Sequence, residues 1–294
     1  MIATPIDPAL ARRRFDRAAA TFEQAAALHQ EVAARMLERL DLVRLAPQVV
    51  LDAGCATGRL TGALAKRYPG ARVVALDLSP RMLVQRWPPR PRLARLLRAP
   101  AAGLPVCGVR ERLPLATGSV DLVCSSLALH WSAAPEQVVR EMHRVLRRGG
   151  LLMFTTLGPD SLKELRAALP DSAASVHVFA DMHDVGDLLV RTGFADPVMD
   201  MEHIILTYPD LAALLRELRA AGGASARSDL PRGLRGRAWL QRLAQRYEAQ
   251  RDGDRLPATF EIVYGHAWKP EQASRASADG RAVVQFHPRR GAGR

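Results

Sequence analysis

Apolar residues recur at helical spacing over residues 15–42, with Phe22, Ala26, Val32, Met36, Leu37 and Leu40 separated by charged positions. The pattern predicts helices ahead of the main body of the chain. Short apolar runs then alternate with amphipathic stretches: a run at 49–51, a helix over about 59–68, a run at 72–78 and a helix from about 80. Such alternation predicts a parallel sheet with crossover helices, because parallel neighbours need a long connection between them. Further runs at 120–125 and 151–156 flank a helix over 135–146, for which Gly149-Gly150 reads as the stop signal. Beyond them the pattern predicts a helix near 182–192, a strand near 198–206, helical segments over 209–248 and a last strand at 259–266. Residues 86–104, rich in Pro and Arg, read as a surface loop with a short helix at 93–98, and no internal repeat is present.

With 294 residues, 48% of them hydrophobic, the chain is long enough for one large α/β core with insertions. The expected division is an N-terminal helical segment at 1–46, the main domain at 47–270 with a helical insertion at about 209–255, and a flexible tail at 271–294. Cys55, Cys107 and Cys124 are odd in number and scattered, which fits neither a disulfide framework nor a C-x-x-C metal site. A cytoplasmic protein without a metal is the expectation, as no stretch resembles a signal peptide or a membrane span. A net charge of +12 makes an acidic partner plausible, and it equally fits an arginine-rich composition with no such partner.

The chemistry is concentrated in Leu51-Asp52-Ala53-Gly54-Cys55-Ala56-Thr57-Gly58, where a strand gives way to a helix. Small residues at 54, 56 and 58 let the backbone approach a ligand, and the helix start presents free N–H groups. Asp77, nineteen residues after Gly58, ends the next strand, where a carboxylate can accept both hydroxyls of a ribose. Arg59 stands where the dinucleotide fingerprint wants a small residue, so the tighter G-x-G-x-G form, with Ala56 in its middle place, is the better match. A tight turn with no ligand is the alternative reading of the loop taken alone.

This loop resembles the first motif of class I methyltransferases, and a wider likeness runs from about Phe15 to Trp268. Its carriers are Phe15-Asp16-Arg17-Ala18-Ala19, Leu76-Asp77-Leu78-Ser79-Pro80-Arg81-Met82-Leu83, Glu111-Arg112-Leu113-Pro114, Ser126-Leu127-Ala128-Leu129-His130-Trp131, the run at 154–165, Asp181-Met182-His183-Asp184 and Tyr264-Gly265-His266-Ala267-Trp268. Together they resemble the malonyl-acyl-carrier-protein O-methyltransferases of biotin synthesis. The resemblance implies a Rossmann-like, doubly wound α/β fold with a mostly parallel seven-stranded sheet, and S-adenosylmethionine as cofactor. The cofactor would be held by Asp52, Gly54, Cys55, Ala56, Gly58, Asp77, Leu78, Met82, Val109, Arg110 and Ser126. The acceptor would be the free carboxylate of a malonyl group on an acyl carrier protein. A carboxylate of reference pKa near ~4 is already ionised at neutral pH, so no general base is needed. Positioning and desolvation would dominate, with one clamp on the carboxylate.

Arg144, Arg147 and Arg148 are candidates for that clamp, since guanidinium groups grip carboxylates bidentately; arginines answering a helix dipole are the alternative. His130 and Trp131 follow the fourth strand and are candidates for the acceptor pocket, while packing would also explain His130. Phe22 stands where the family has a tyrosine over the cofactor. Two further departures are Ala56 for a glycine and Val109 for the acidic residue that meets the adenine amino group. A methyltransferase-like assembly factor resembling the complex I arginine hydroxylase is therefore a second reading. An RNA methyltransferase or nucleic-acid-binding module is a third, disfavoured because no aromatic and basic interleaving and no base-flipping tetrad follows the fourth strand. A docking surface for the carrier protein is expected on the insertion, from Arg216, Arg219, Arg227, Arg232, Arg235, Arg237, Arg242 and Arg246.

Overall fold

The computed structural model describes residues 5–89, 102–169, 176–229 and 236–271. Five strands run parallel: β1 (Val49–Ala53), β2 (Arg72–Asp77), β3 (Leu104–Cys107), β4 (Val120–Ser125) and β5 (Leu146–Leu157). They join β6 (Ala195–Tyr208) and β7 (Leu256–Trp268) in one sheet of order β3-β2-β1-β4-β5-β7-β6, in which β7 is antiparallel to both its neighbours. The doubly wound, mostly parallel seven-stranded architecture expected from the sequence is present. The order reverses between β1 and β4, and in open α/β sheets the crevice outside the carboxyl ends of the strands at such a point is where ligands bind.

Alternate residues of each strand feed two cores. Val50, Val73, Leu122 and Leu151 face one side, with α3 (Ala27–Leu40) and α4 (Arg59–Arg67) packed on it. Leu51, Val74, Val123 and Leu152 face the other, under α6 (Pro135–Val145) and α8 (Met182–Arg191). Period-two alternation buried on both sides explains why the strands read as unbroken apolar runs.

The N-terminal periodicity resolves into α1 (Pro8–Ala18), the single turn α2 (Phe22–Ala25) and α3. Asp7 caps α1 by accepting from the Leu10 N–H at 3.0 Å, and Pro8 occupies the first turn, where its missing N–H costs nothing. The predicted helical stretch 209–248 contains α9 (Leu211–Ala220) and α10 (Arg237–Glu248), with α9 ending at Gly222, whose φ is +73°. A small helix α7 (Lys163–Ala168) follows β5, and α5 (Pro80–Arg86) follows β2. The short helix expected at 93–98, the tail beyond 271, Arg232 and Arg235 lie outside the described residues.

Gly149-Gly150 does not terminate the preceding helix, as its position suggested; it lies inside β5. The β4–β5 register shifts between Val120 and Leu122, and Gly149, at φ +71°, takes up the extra length. The strand thus begins at Leu146, directly after α6.

Asp121 ties this framework together: one carboxylate oxygen accepts the Gln48 and Val49 N–H groups at 2.6 and 2.8 Å, while the other pairs with Arg147 at 2.5 Å. The side chain is buried, so losing it strands two N–H donors at the start of β1. Asp121→Ala should lower the free energy of unfolding in denaturant by about 2–3 kcal/mol; an unchanged midpoint would show that water replaces the carboxylate there.

Candidate functional site

The loop from β1 to α4 closes on itself through the backbone. Gly54 and Cys55 both donate to the Leu76 carbonyl, at 2.8 and 3.0 Å, which presses the loop against the end of β2. Gly54 has φ +97° and needs to be glycine for a second reason: a Cβ there would stand 2.5 Å from the Ala128 Cβ, across the switch point. Ala56 adopts the same left-handed region, at φ +47°, and holds it while donating its N–H to Asp77 Oδ2 at 2.9 Å. Asp77 Oδ1 accepts the Ser79 N–H at 2.8 Å, and Ser79 in turn caps α5 through the Met82 N–H at 3.1 Å. Burial pushes the Asp77 pKa up, while the Ser79 and Ala56 N–H groups and the nearby Arg110 charge act against that push.

Behind the loop, Asp52 is buried with Oδ2 accepting from the Thr61 hydroxyl at 2.6 Å. Its Oδ1 has no hydrogen-bond partner among the described residues. Desolvation raises its pKa to about 7, with the Thr61 hydroxyl opposing and Asp77 adding to the rise.

Gly54, Ala56, Asp77, Leu78, Val109, Arg110 and Ser126 line one cleft of about 60 Å³, together with Phe22 and Trp131. Cys55 and Asp52 border a second hollow beside it that also reaches Phe22. The N-terminal helices form the lid: Ser79 donates to Asp16 at 2.6 Å, Thr57 donates to Glu23, and Arg59 pairs with Glu23 at 3.4 Å. Val109 presents an exposed isopropyl group and no side-chain acceptor. Arg110 reaches across the cleft, its Nη1 lying 3.0 Å from where a Gly54 Cβ would be. Burial lowers its pKa, and the charges of Glu111 and Asp77 offset part of that.

Two further residues expected at the cofactor, Gly58 and Met82, line neither space. Gly58 caps α4 at φ +79°, where a Cβ would meet Arg86 and Trp87. Met82 is fully buried against Phe22 and Ala18.

A second, larger cavity of about 320 Å³ lies beyond the cleft, between the carboxyl edge of the sheet and the helices α7, α9 and α10. Its walls are mainly apolar, with Leu162, Leu165, Phe179, Leu243 and Phe260 among them, and three histidines face it: His29, His130 and His177. His130 and Trp131 thus lie in the wall, as the sequence suggested. Leu127, held at φ +47° by bonds from its N–H to the Thr155 carbonyl and hydroxyl, stands with His29 and Trp131 in the walls of both cleft and cavity. Desolvation lowers the pKa of His29 and of His177 to about 4 and that of His130 well below its usual value. All three are neutral at pH 7.

The arginine clamp is corrected by its location. Arg144, Arg147 and Arg148 sit at the amino end of β5, the edge of the sheet opposite the cleft. Arg144 grips Glu141 at 2.6 Å and the Leu113 and Leu115 carbonyls, Arg147 pairs with Asp121, and Arg148 donates to the Glu271 carbonyl. These contacts tie the loop before β4, β4 itself and the chain just after β7 to α6 and β5, while Lys269 bonds the His143 and Leu146 carbonyls at the end of α6. Sequence reading missed His29, His177 and the insertion helices as walls of the cavity. A signal for His29 existed, since it precedes Ala33 by four residues and Met36 by seven, on the inward stripe of α3.

The Methyltransferase domain family matches residues 51–154. The malonyl-[acyl-carrier protein] O-methyltransferase of Laribacter hongkongensis is 53% identical over 289 residues, with 96% of each chain covered. That of Methylovorus sp. is 51% identical over 286 residues, covering 97% of this chain and 96% of its own. Among solved structures, Haemonchus contortus phosphoethanolamine N-methyltransferase 2 in complex with S-adenosyl-L-methionine shares the fold at TM-score 0.51 and 18% identity, covering 87% of this chain and 57% of that one.

Asp52 has a pH signature. An acid whose folded pKa, about 7, exceeds the reference 3.8 binds more protons folded than unfolded, so its contribution favours folding at low pH and is lost as pH rises through about 7. Asp52→Asn keeps the Thr61 contact and removes the titration. The slope of stability between pH 5 and roughly 7.5 should therefore be less negative in the variant than in the parent chain; coincident slopes would mean that Asp52 titrates at its ordinary value.

Proposed function

The chain belongs to the malonyl-[acyl-carrier protein] O-methyltransferase family, and we propose that it methylates the free carboxylate of a malonyl group carried by an acyl carrier protein, using S-adenosylmethionine. The observation that carries this reading is the adjacency of two cavities: a cleft organised by Asp77 and a larger apolar cavity share Leu127, Trp131 and His29 as walls. When bound, S-adenosylmethionine supplies an electrophilic methyl group on a sulfonium sulfur.

The residues present fit that cofactor in the parts that set its position. Asp77 still has lone pairs free after accepting two N–H groups, enough for ribose hydroxyls, and Gly54 leaves room that any Cβ would remove. The Arg110 side chain crosses the same cleft, and its rotation, rather than a backbone shift, supplies the remaining space. A ring at Phe22 lines the cleft, and the tethers from Asp16 and Glu23 hold the N-terminal helices over it.

The acceptor needs little from side chains. Its carboxylate is ionised without a base, the new O–C bond forms as the C–S bond breaks, and no proton moves. Neutral histidines and an apolar wall suit this reaction, because they strip water from the nucleophile without neutralising it. The cavity is larger than a malonyl group requires and has room for the thioester arm of a carrier. Arg219 borders it, and Arg216 is exposed on the same helix, α9, in reach of an acidic carrier surface. Among the described residues no helix is long and apolar enough to cross a membrane, and a cytoplasmic site of action is part of the proposal.

Labelled methyl groups should appear as a base-labile ester on malonyl carrier protein, more slowly on malonyl coenzyme A and least on free malonate. Absence of transfer to any of them would overturn the reading. Asp77→Ala should weaken binding of S-adenosylhomocysteine by about 1.5–3 kcal/mol in calorimetry, the worth of a charge-assisted hydrogen bond; an unchanged affinity would place the ribose elsewhere.

A further inference from the structure

Three imidazoles face the acceptor cavity, and two of them are already engaged. His130 Nδ1 lies 3.3 Å from the Thr156 hydroxyl, and its ring packs between Trp131 and Phe179. His177 Nε2 accepts the Ala226 N–H at 3.1 Å and its ring sits edge-on to Trp131. His29 differs in that neither ring nitrogen has a hydrogen-bond partner among the described residues; its Nδ1 is fully buried without one, as is Nδ1 of His177, whose Nε2 is bonded. Its ring is fixed from one side by an edge-on contact with Phe22, 5.1 Å between centroids. Among the three it alone borders the cleft, the hollow beside the glycine loop and the acceptor cavity at once.

A buried polar group left without a partner is costly, and such groups are retained where something else supplies the bond. A carboxylate entering the apolar cavity has the complementary problem: it loses water, and of the arginines nearby Arg110 lies in the cleft beside Asp77 and Arg219 on the cavity wall formed by α9, while Arg144, Arg147 and Arg148 lie at the far edge of the sheet.

We propose that His29 binds the acceptor carboxylate at the neck between the two cavities, donating a ring N–H to the carboxylate oxygen that does not attack. This rests on the methyl-transfer reading above and adds to it the residue that touches the nucleophile. A neutral donor is suited to the place. It orients the carboxylate by one hydrogen bond, leaves the attacking oxygen free of a proton donor, and adds no further cation beside a sulfonium.

The test compares His29→Leu, which removes the donor, with His29→Gln, which restores a neutral N–H of similar reach. Initial rates on malonyl carrier protein should fall at least tenfold in kcat/KM for the leucine variant and within about threefold of the parent for the glutamine variant. In the presence of S-adenosylhomocysteine, His29→Leu should lose affinity for malonyl pantetheine and retain that for acetyl pantetheine, which lacks the carboxylate. A residue that only packs against Phe22 would change both ligands equally and would not be rescued by glutamine, and that result overturns the proposal. If the parent chain methylates no malonyl thioester, the acceptor assignment falls and takes the role of His29 with it. If the parent is active and the leucine variant equals it, the role of His29 alone is refuted.

Discussion

The site depends on one carboxylate. Asp77 accepts the N–H of Ala56 with one oxygen and that of Ser79 with the other, so a single side chain fixes the loop after β1 and the start of the helix after β2. Ala56 pays for this: a left-handed conformation costs a residue with a Cβ roughly 1–2 kcal/mol, and the charge-assisted bond to Asp77 is of the size needed to offset it. Placement of the cleft, the cap of α5 and, through Ser79 and Asp16, the seat of α1 all follow from the same contact.

Around this fixed point the molecule separates two tasks by polarity. The cleft has charged walls at Asp77 and Arg110, and the larger cavity has apolar walls with neutral imidazoles. Burial makes the second condition self-consistent, since the desolvation that lowers the histidine pKa values also strips water from an entering carboxylate. The N-terminal helices participate in both: Phe22 covers the cleft, while His29, on α3, faces the cavity. The strained Leu127 stands between the two, consistent with strain being held where geometry matters most.

Much of this was legible in the residues. Period-two apolar runs gave the strands their places because both faces of the sheet are buried, and the glycine loop with Asp77 in register marked the cleft. What could not be read is instructive. Gly149-Gly150 looked like a helix stop because a glycine pair has the same local signature at a helix end and at a bulge; only the β4–β5 register distinguishes them. Arg144 and Arg148 looked like clamps because arginine chemistry is visible in a sequence and the edge of the sheet it occupies is not. His29 went unread because one polar residue on a mostly apolar stripe is ordinarily taken as an exposed flank. Walls built from α7, α9 and α10 depend on contacts between distant segments, such as the pairing of Asp7 with Ala226, that no local pattern encodes.

The central claim is that the cleft at Asp77 and the apolar cavity beyond Leu127 are two halves of one transfer site. A crystal structure of the full chain with S-adenosylhomocysteine tests it most directly. The ribose hydroxyls should lie on Asp77, with Arg110 turned aside, and the sulfur should face the neck formed by Leu127, Trp131 and His29. A nucleoside bound away from Asp77, or a sulfur directed to bulk solvent with the cavity closed off behind it, would contradict the account.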